Sequence, residues 1–567
     1  MARDASTPFP EGSTTGPSAG EAEPTTGASA APVTGDGEGL GAAAGPVSAA
    51  TLVSRVLGVV REQVMAALFG AGNAADAFNI AFRVPNLLRD LFAEGALSAA
   101  FVPTFTDTLQ KRGPAEAWRL GGQVMNAVAV VISAIVVVGW IFTPALVRVM
   151  APGFAAVPGK LELTVHLARL MLPFLLFVAL AAAAMGMLNS LRRFGPAALS
   201  PVWFNLGNIV VTLSLVPVMY GLGAEPIVAM ALGVMAGGVL QFAAQLPPLW
   251  RLGFRPAWPP RLDHPGVRRV AVLMTPAAIG LSAVQINVVI NSMLASTLGT
   301  GAVSWLAYAF RILFVPIGLF GVAMATVSLP SMSRSASAGD IDGLKRTLHR
   351  AVRTTLALTL PAGAGLAALA WPLTALLYQH GQFTAHDTQA TAQALVAYSV
   401  GLAAYSGIKV LVPAFYALGD TRSPLVASFI SVGVNLGLNL LLMRVWGHVG
   451  LALSTGLTAL INFAQLWLWL SRKVGPLGGR RLLAAAARAG AAAAVMGAVL
   501  AALTWATAPW WRGRLAGEAA IVAGGTALGA VLVLLLYRAF GVREREDLWA
   551  AARAVGARLR PRRAAGS

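Results

Sequence analysis

Apolar stretches about twenty residues long alternate with short polar connections from residue 47 to residue 540. That is the length a helix needs to cross a hydrocarbon core of about 30 Å. The pattern predicts about fourteen transmembrane helices, over 47–69, 74–101, 122–150, 161–191, 200–220, 227–249, 270–298, 302–329, 354–378, 390–418, 425–443, 451–470, 484–506 and 519–537. Span three is nearly pure Val, Ile and Ala and is expected to touch lipid. The first two spans, joined by the turn 70–73, break the pattern because they carry Arg55, Arg61, Glu62, Asp76, Arg83, Arg89, Asp90 and Glu94. An ionised side chain at the centre of a bilayer costs about 2.5–3.5 kcal/mol on insertion scales. So many are tolerated only if they face a wet cavity, pair with one another or sit near helix ends. Arginine's planar fork of donors suits phosphate, so these two helices point to a cavity built for an anion.

Composition agrees with a membrane protein. Of 567 residues, 57% are hydrophobic and 11% charged, and the mean hydropathy is +0.70, whereas soluble domains carry about 25% charged residues. The net charge of +19 would suit nucleic acid, but its placement argues against that partner. Lys and Arg crowd the connections after spans two, four, six, eight and twelve and the C-terminal tail, while those after spans one, five, seven and nine have none. By the positive-inside rule the basic connections are cytoplasmic and both termini lie inside. The segment before residue 47 is rich in Gly, Ala, Ser, Thr and Pro with scattered acids, and is expected to be disordered. It lacks the basic-then-apolar order of a signal peptide. The absence of cysteine excludes disulfides, thiol catalysis and thiolate metal sites. No Walker loop occurs, so ATP hydrolysis by this chain is not expected. His380 and His386 lie in a predicted outer loop without the company a metal site needs, and a turn role fits them.

The candidate residues have definite spacings. Arg55 and Arg61 are six apart, about 9 Å along a helix axis. Asp76, Arg83 and Asp90 recur every seven residues and share one face, while Pro85 removes a backbone bond and can kink span two. Asp76, in the first turn of span two, suits that helix's dipole. Glu62 sits beside Arg61 and can neutralise it. Arg311 is the single charge of span eight, without an acidic neighbour in sequence. Lys409, deep in span ten, is open to structural pairing or to a substrate or gating contact. Asn435 and Asn439, four apart in span eleven, could hold a small cation with Ser454 or Thr455 of span twelve. Interhelical hydrogen bonding is the commoner use of such residues, and the site lacks an acid.

The motifs SRVLGxxRE, FGAGxxADAF and PNLLRxLFAEGAxSxAFVP, followed later by GxFTxxD, resemble those of the MurJ/MviN family, within the multidrug/oligosaccharidyl-lipid/polysaccharide exporter superfamily. The likeness runs from about residue 50 to about residue 538. It implies an all-α polytopic membrane protein with two lobes around a central cavity. A first lobe of six spans (47–251) would be joined by a basic cytoplasmic linker (252–269) to a second (270–473). An added pair of helices (474–541) would form a groove for a lipid tail. The tails would be 1–46 and 542–567.

The implied activity is a flippase of peptidoglycan and cell-wall biogenesis. It would move lipid II, undecaprenyl-diphosphate-linked disaccharide-pentapeptide, across the bacterial cytoplasmic membrane by alternating access, with no covalent catalysis and no cofactor, a coupling cation being left open. The family pattern places Arg55, Arg61, Arg89 and Arg311 around the diphosphate. Asp76, Arg83, Glu94 and Lys409 remain as cavity or gating residues. Span eight follows the family pattern SWxxYAxRLxxxPxGxxGVAxxTxxLPxLS, except that Phe310 and Phe314 stand where the family often has Asp and Glu. Fewer local carboxylates would leave Arg311 more available to an anion. Rival readings are a flippase for another polyprenyl-linked glycan, a drug/cation antiporter of the same superfamily, and a non-transporting membrane scaffold that recruits cell-wall synthesis proteins.

Overall fold

The computed structural model describes residues 37–90, 96–257, 259, 261, 263–542 and 544. These form helices and turns, with no strand among them. The first half comprises α1 (Gly37–Phe69), α2 (Asn73–Arg89), α3 (Ala96–Arg112), α4 (Pro114–Met150), α5 (Lys160–Met171), α6 (Phe174–Ser190), α7 (Phe194–Gly221), α8 (Ile227–Ala243) and α9 (Leu246–Arg251). The second half comprises α10 (Pro265–Ser296), α11 (Ala302–Pro316), a π-helical turn (Ile317–Val322), α12 (Ala323–Ser337), α13 (Ile341–Ala368), α14 (Ala370–Tyr378), α15 (Ala385–Ser399), α16 (Leu402–Ala417) and α17 (Arg422–Val474). Then come α18 (Gly479–Ala506), the short α19 (Ala508–Trp511) and α20 (Leu515–Ala539). α1 begins at Gly37, ahead of the boundary expected from composition. Ala42, Ala43 and Ala44 are strong helix formers, and extending an existing helix is far easier than nucleating one.

Among the described residues, eight helices are long and apolar enough to cross a membrane, ten if the bent pairs α13/α14 (72°) and α15/α16 (48°) each count as one span. The expected number near fourteen is therefore not reached by length and composition. The charge-bearing α1, α2 and α3 fall outside that count, as does α10, whose apolar part Val284–Ser296 is too short for it. α17 counts once although it doubles back at Gly447 (φ 54°, ψ −128°). A straight helix of its 53 residues would hold its ends about 80 Å apart, yet Asp420, just before it, lies 2.7 Å from Lys473 near its end. The structure is that of a multi-pass membrane protein. α4 leaves Val131, Val137, Val138, Ile141 and Phe142 exposed, side chains that hydrocarbon and not water solvates favourably.

In the first half α1 packs on α7, α7 on α8, α2 on α5, and α6 on α4 and α8. In the second half α13 packs on α16 and α18, α16 on α17, α11 on α15 and α10 on α17. The halves meet where α10 lies against α3 and α4, α11 against α2, and α1 against α14. The last helices are fastened to the second half: α20 packs on α18 and α14, and the Tyr537 hydroxyl donates to the Ala357 carbonyl of α13 at 2.5 Å.

Candidate functional site

At the end of the bundle that gathers the charge-poor connections, the halves are clasped through one buried carboxylate. Asp76 of α2 is fully buried. Its Oδ2 lies 2.8 Å from Lys160 Nζ and accepts from the Gly301 amide at 2.7 Å, while Oδ1 accepts from the Ser304 amide at 3.0 Å and hydroxyl at 2.7 Å. Gly301 and Ser304 are the N-cap and third residue of α11, whose first amides have no partner within their own helix. Asp76 stands in the first turn of α2, as the sequence suggests, and in addition caps the start of α11. Sequence distance hid this, for the two partners are 225 residues apart.

The carbonyls at the C-terminal end of α1 are likewise taken up by the second half. The Gln382 amide donates to Ala67 O at 2.9 Å and the Tyr308 hydroxyl to Gly70 O at 3.2 Å. Gly381 (φ 58°) has room only for hydrogen, since a Cβ there would run into the Ala67 carbonyl. The FTxxD of the quoted motif has a plain physical use. Thr384 and Asp387 form a capping box at the start of α15, and Asp387 also accepts from the Trp305 indole at 2.8 Å. His380 contacts the Leu376 carbonyl of the preceding turn, at 3.1 Å.

Deeper in the bundle, Arg61, Arg89 and Arg311 come together. Arg89 and Arg311 are both electrostatic neighbours of Arg61. Glu62 binds two of the three: its Oε1 lies 2.7 Å from Arg61, and its Oε2 pairs with Arg311 across the halves. The absence of a carboxylate near Arg311 in its own span thus misleads, because the partner comes from α1. Arg89 pairs with Asp90 at 3.0 Å, and Gln285 of α10 donates to the same carboxylate at 3.3 Å. The side chains of Arg61, Arg89 and Arg311 keep 19%, 27% and 33% of their surface accessible, enough to meet a ligand. Arg55 is exposed and its guanidinium lies over Gly318 in the π-helical turn; such turns recur at functional sites.

A polar ladder joins this cluster to the clasp. Arg311 donates to Asn79 Oδ1 at 3.5 Å, Asn79 Nδ2 to Ser304 Oγ at 3.1 Å, and Ser304 to Asp76. Asn79 was not singled out in the sequence. It shares the face of Asp76 and Arg83 at helical spacing, which is the signal that would have found it.

Arg83 bonds Ser292 of α10, and Lys409 sits partly buried on α16. Glu94 lies outside the described residues. Asn435 and Asn439 join a network that includes Asn291 of α10. Asn439 donates to Asn291 at 2.7 Å and to Asn435 at 2.9 Å, Asn435 donates to Thr458 at 3.2 Å, and Ser454 donates to Asn439. Thr455 instead donates to Leu451 of its own helix at 2.8 Å, so Thr458 takes the place assigned to it. Among the described residues no three His, Cys, Asp or Glu are grouped as metal ligands. An open pocket of about 760 Å³ lies away from the arginines, between α4 and the basic linker, lined by Trp118, Arg119, Arg255 and Arg261.

These features define a class: a multi-pass helical membrane protein whose halves close over a buried carboxylate at one end and hold a band of arginines between them. The family model described as lipid II flippase MurJ matches residues 65–517. The probable lipid II flippase MurJ of Vibrio cholerae serotype O1 is 36% identical over 510 residues, covering 88% of this chain and 95% of that protein. The lipid II flippase MurJ of Burkholderia cenocepacia is 37% identical over 431 residues, covering 75% and 83%. The chain belongs to the MurJ family. Among solved structures, a lipid II flippase MurJ in an inward closed conformation matches with a TM-score of 0.71 at 26% identity, over 87% of this chain and 98% of that one. An inward-facing multidrug resistance MATE family transporter of the MOP superfamily shares the fold, with a TM-score of 0.63 at 15% identity over 75% and 95%.

Proposed function

We propose that this chain moves lipid II from the cytoplasmic to the outer leaflet of the bacterial cytoplasmic membrane, with Arg55, Arg61, Arg89 and Arg311 taking the diphosphate. The observation that carries this reading is the convergence of Arg61 and Arg89 of the first half with Arg311 of the second on one partly accessible cluster. The diphosphate is the part of the substrate most costly to carry through hydrocarbon, since an uncompensated ion there costs many kcal/mol. A guanidinium cluster replaces its hydration where that cost is greatest. The prenyl chain stays in lipid or in a groove along α18 and α20.

In this reading residues 47–251 and 270–473 act as two lobes, with 252–269 as the cytoplasmic linker, 474–541 as the added pair, and the tails inside. The Asp76 clasp then lies at the outer end and holds it shut. Alternating access breaks that clasp and closes the inner end. The process makes and breaks no covalent bond and calls on no cofactor. The asparagine network satisfies its own carbonyl oxygens, which speaks against a coupling cation there. Membrane potential acting on charge supplies about 2.3 kcal/mol per elementary charge per 100 mV.

The test is depletion of the protein in its host, with lipid II leaflet distribution read by protease- or toxin-accessible labelling and rescue by wild type or Arg311→Ala. Inward accumulation restored only by wild type is expected. An unchanged distribution on depletion sinks the reading and brings forward a scaffold or an antiporter.

A further inference from the structure

Two arginines of the first half share a local pattern. Each is followed at once by a carboxylate, Arg61 by Glu62 and Arg89 by Asp90. Adjacent residues on a helix do not ordinarily face each other, yet both pairs close, at 2.7 Å and 3.0 Å. Both carboxylates also cross to the second half, Glu62 to Arg311 of α11 and Asp90 to Gln285 of α10. Glu62 is only 7% exposed. A buried carboxylate persists when cations or donors compensate it, and here the compensating cations are the ones assigned to substrate.

Carboxylate and phosphate oxygens compete for the same guanidinium fork. We propose that Glu62 and Asp90 are resident counter-anions. They occupy the arginines while the site is empty, yield them to an incoming diphosphate and retake them to expel it. This rests on the reading of Arg55, Arg61, Arg89 and Arg311 as the diphosphate site. Four arginines less two carboxylates leave a net charge of +2 (4 − 2) among these six residues. A diphosphate diester brings about two negative charges, one per phosphate, and makes the occupied site neutral. The same two carboxylates tie α1 to α11 and α2 to α10, so their displacement loosens both cross-half contacts at the moment of binding. Their return supplies the competing anion for release.

The experiment uses the full chain, purified in detergent and reconstituted in vesicles, as wild type, Glu62→Gln, Asp90→Asn, Glu62→Asp and Arg311→Ala. Binding of undecaprenyl diphosphate is measured at equilibrium, and lipid II transport is followed as KM and kcat. Removing one competing charge should tighten binding at least about fivefold in Glu62→Gln and in Asp90→Asn. KM and kcat should fall together because release slows. Glu62→Asp, which keeps the competing charge, should not tighten binding. Damage to the fold weakens binding, so tighter binding with slower turnover is not what a merely structural role produces. If Arg311→Ala weakens binding but neither Glu62→Gln nor Asp90→Asn tightens it, the counter-anion proposal is overturned and the diphosphate site stands. If Arg311→Ala binds as wild type does, the diphosphate site itself fails, and this proposal with it.

Discussion

Asp76→Ala should open the clasped end of the bundle, and the structure separates two consequences of that change. Lys160 and Asp76 belong to the same half and are both buried, at 1% and 0% side-chain exposure. Removing the carboxylate strands a buried ammonium, which costs about 3–5 kcal/mol of folding stability. The amides of Gly301 and Ser304 and the Ser304 hydroxyl belong to the other half, and opening exchanges these bonds for water. Bonds to a charged group are worth about 1.5–3 kcal/mol net. Taking only one of the three as the floor, loss of the carboxylate shifts the closed-to-open ratio by about 10- to 150-fold.

The double change Asp76→Ala with Lys160→Met removes the stranded charge, so it should recover stability and stay open. The chain has no cysteine, which makes a reporter simple to install. Asn73 and Thr300, hydrogen-bonded across the halves at 2.8 Å, are replaced by cysteines and joined with a short bifunctional reagent. Cross-linking should be near complete with Asp76 present and fall at least severalfold in the double variant. Equal cross-linking with and without the carboxylate would refute the clasp.

Three further changes follow from the same contacts. Asn79→Leu breaks the ladder between Arg311 and Ser304; diphosphate binding should persist while transport in vesicles slows about tenfold, and equal losses in both would show that Asn79 acts on binding alone. Burial pushes the Asp420 carboxyl up, but the Lys473 ammonium and the Ser423 donors outweigh it and hold it at about 2. Its unfolded value is near 3.9, so this closure of the α17 hairpin is fully present above about pH 4 and lost as pH falls towards 2; thermal midpoints of wild type and Asp420→Asn should converge over that range. Tyr537→Phe removes the bond to the Ala357 carbonyl and should cost about 0.5–1.5 kcal/mol, read as a lower unfolding midpoint; an unchanged midpoint would show that α20 is held by packing alone.

What the sequence could and could not reveal divides along a physical line. Hydrophobic length marked the chain as a multi-pass helical membrane protein, because burial in hydrocarbon is imposed residue by residue. In the structure, length and composition single out eight to ten helices among the described residues and leave out the charge-bearing α1 and α2, while α17, broken at Gly447, counts once. The family resemblance, and not spacing, grouped Arg55, Arg61, Arg89 and Arg311; spacing showed only which residues share a helix face. It could not assign partners, because partners are settled by packing between elements hundreds of residues apart.

Asp76 is the first-turn carboxylate its position suggests, and it also caps another helix. Arg311 looked solitary in its span and proved to share Glu62 with Arg61. The short motifs were legible as a family signature before they were legible as chemistry. In the structure the turn of FGAGxxADAF and the cap of GxFTxxD meet at one closure: Gly70 O takes Tyr308, Gln382 N–H reaches Ala67, and Asp387 takes Trp305. Motifs so far apart in sequence are therefore constrained together by the state in which the two halves touch. A substitution in either should act first on that state and only through it on the arginines, so that variants at Gly70 or Gly381 shift cross-linking between positions 73 and 300 before they change diphosphate affinity.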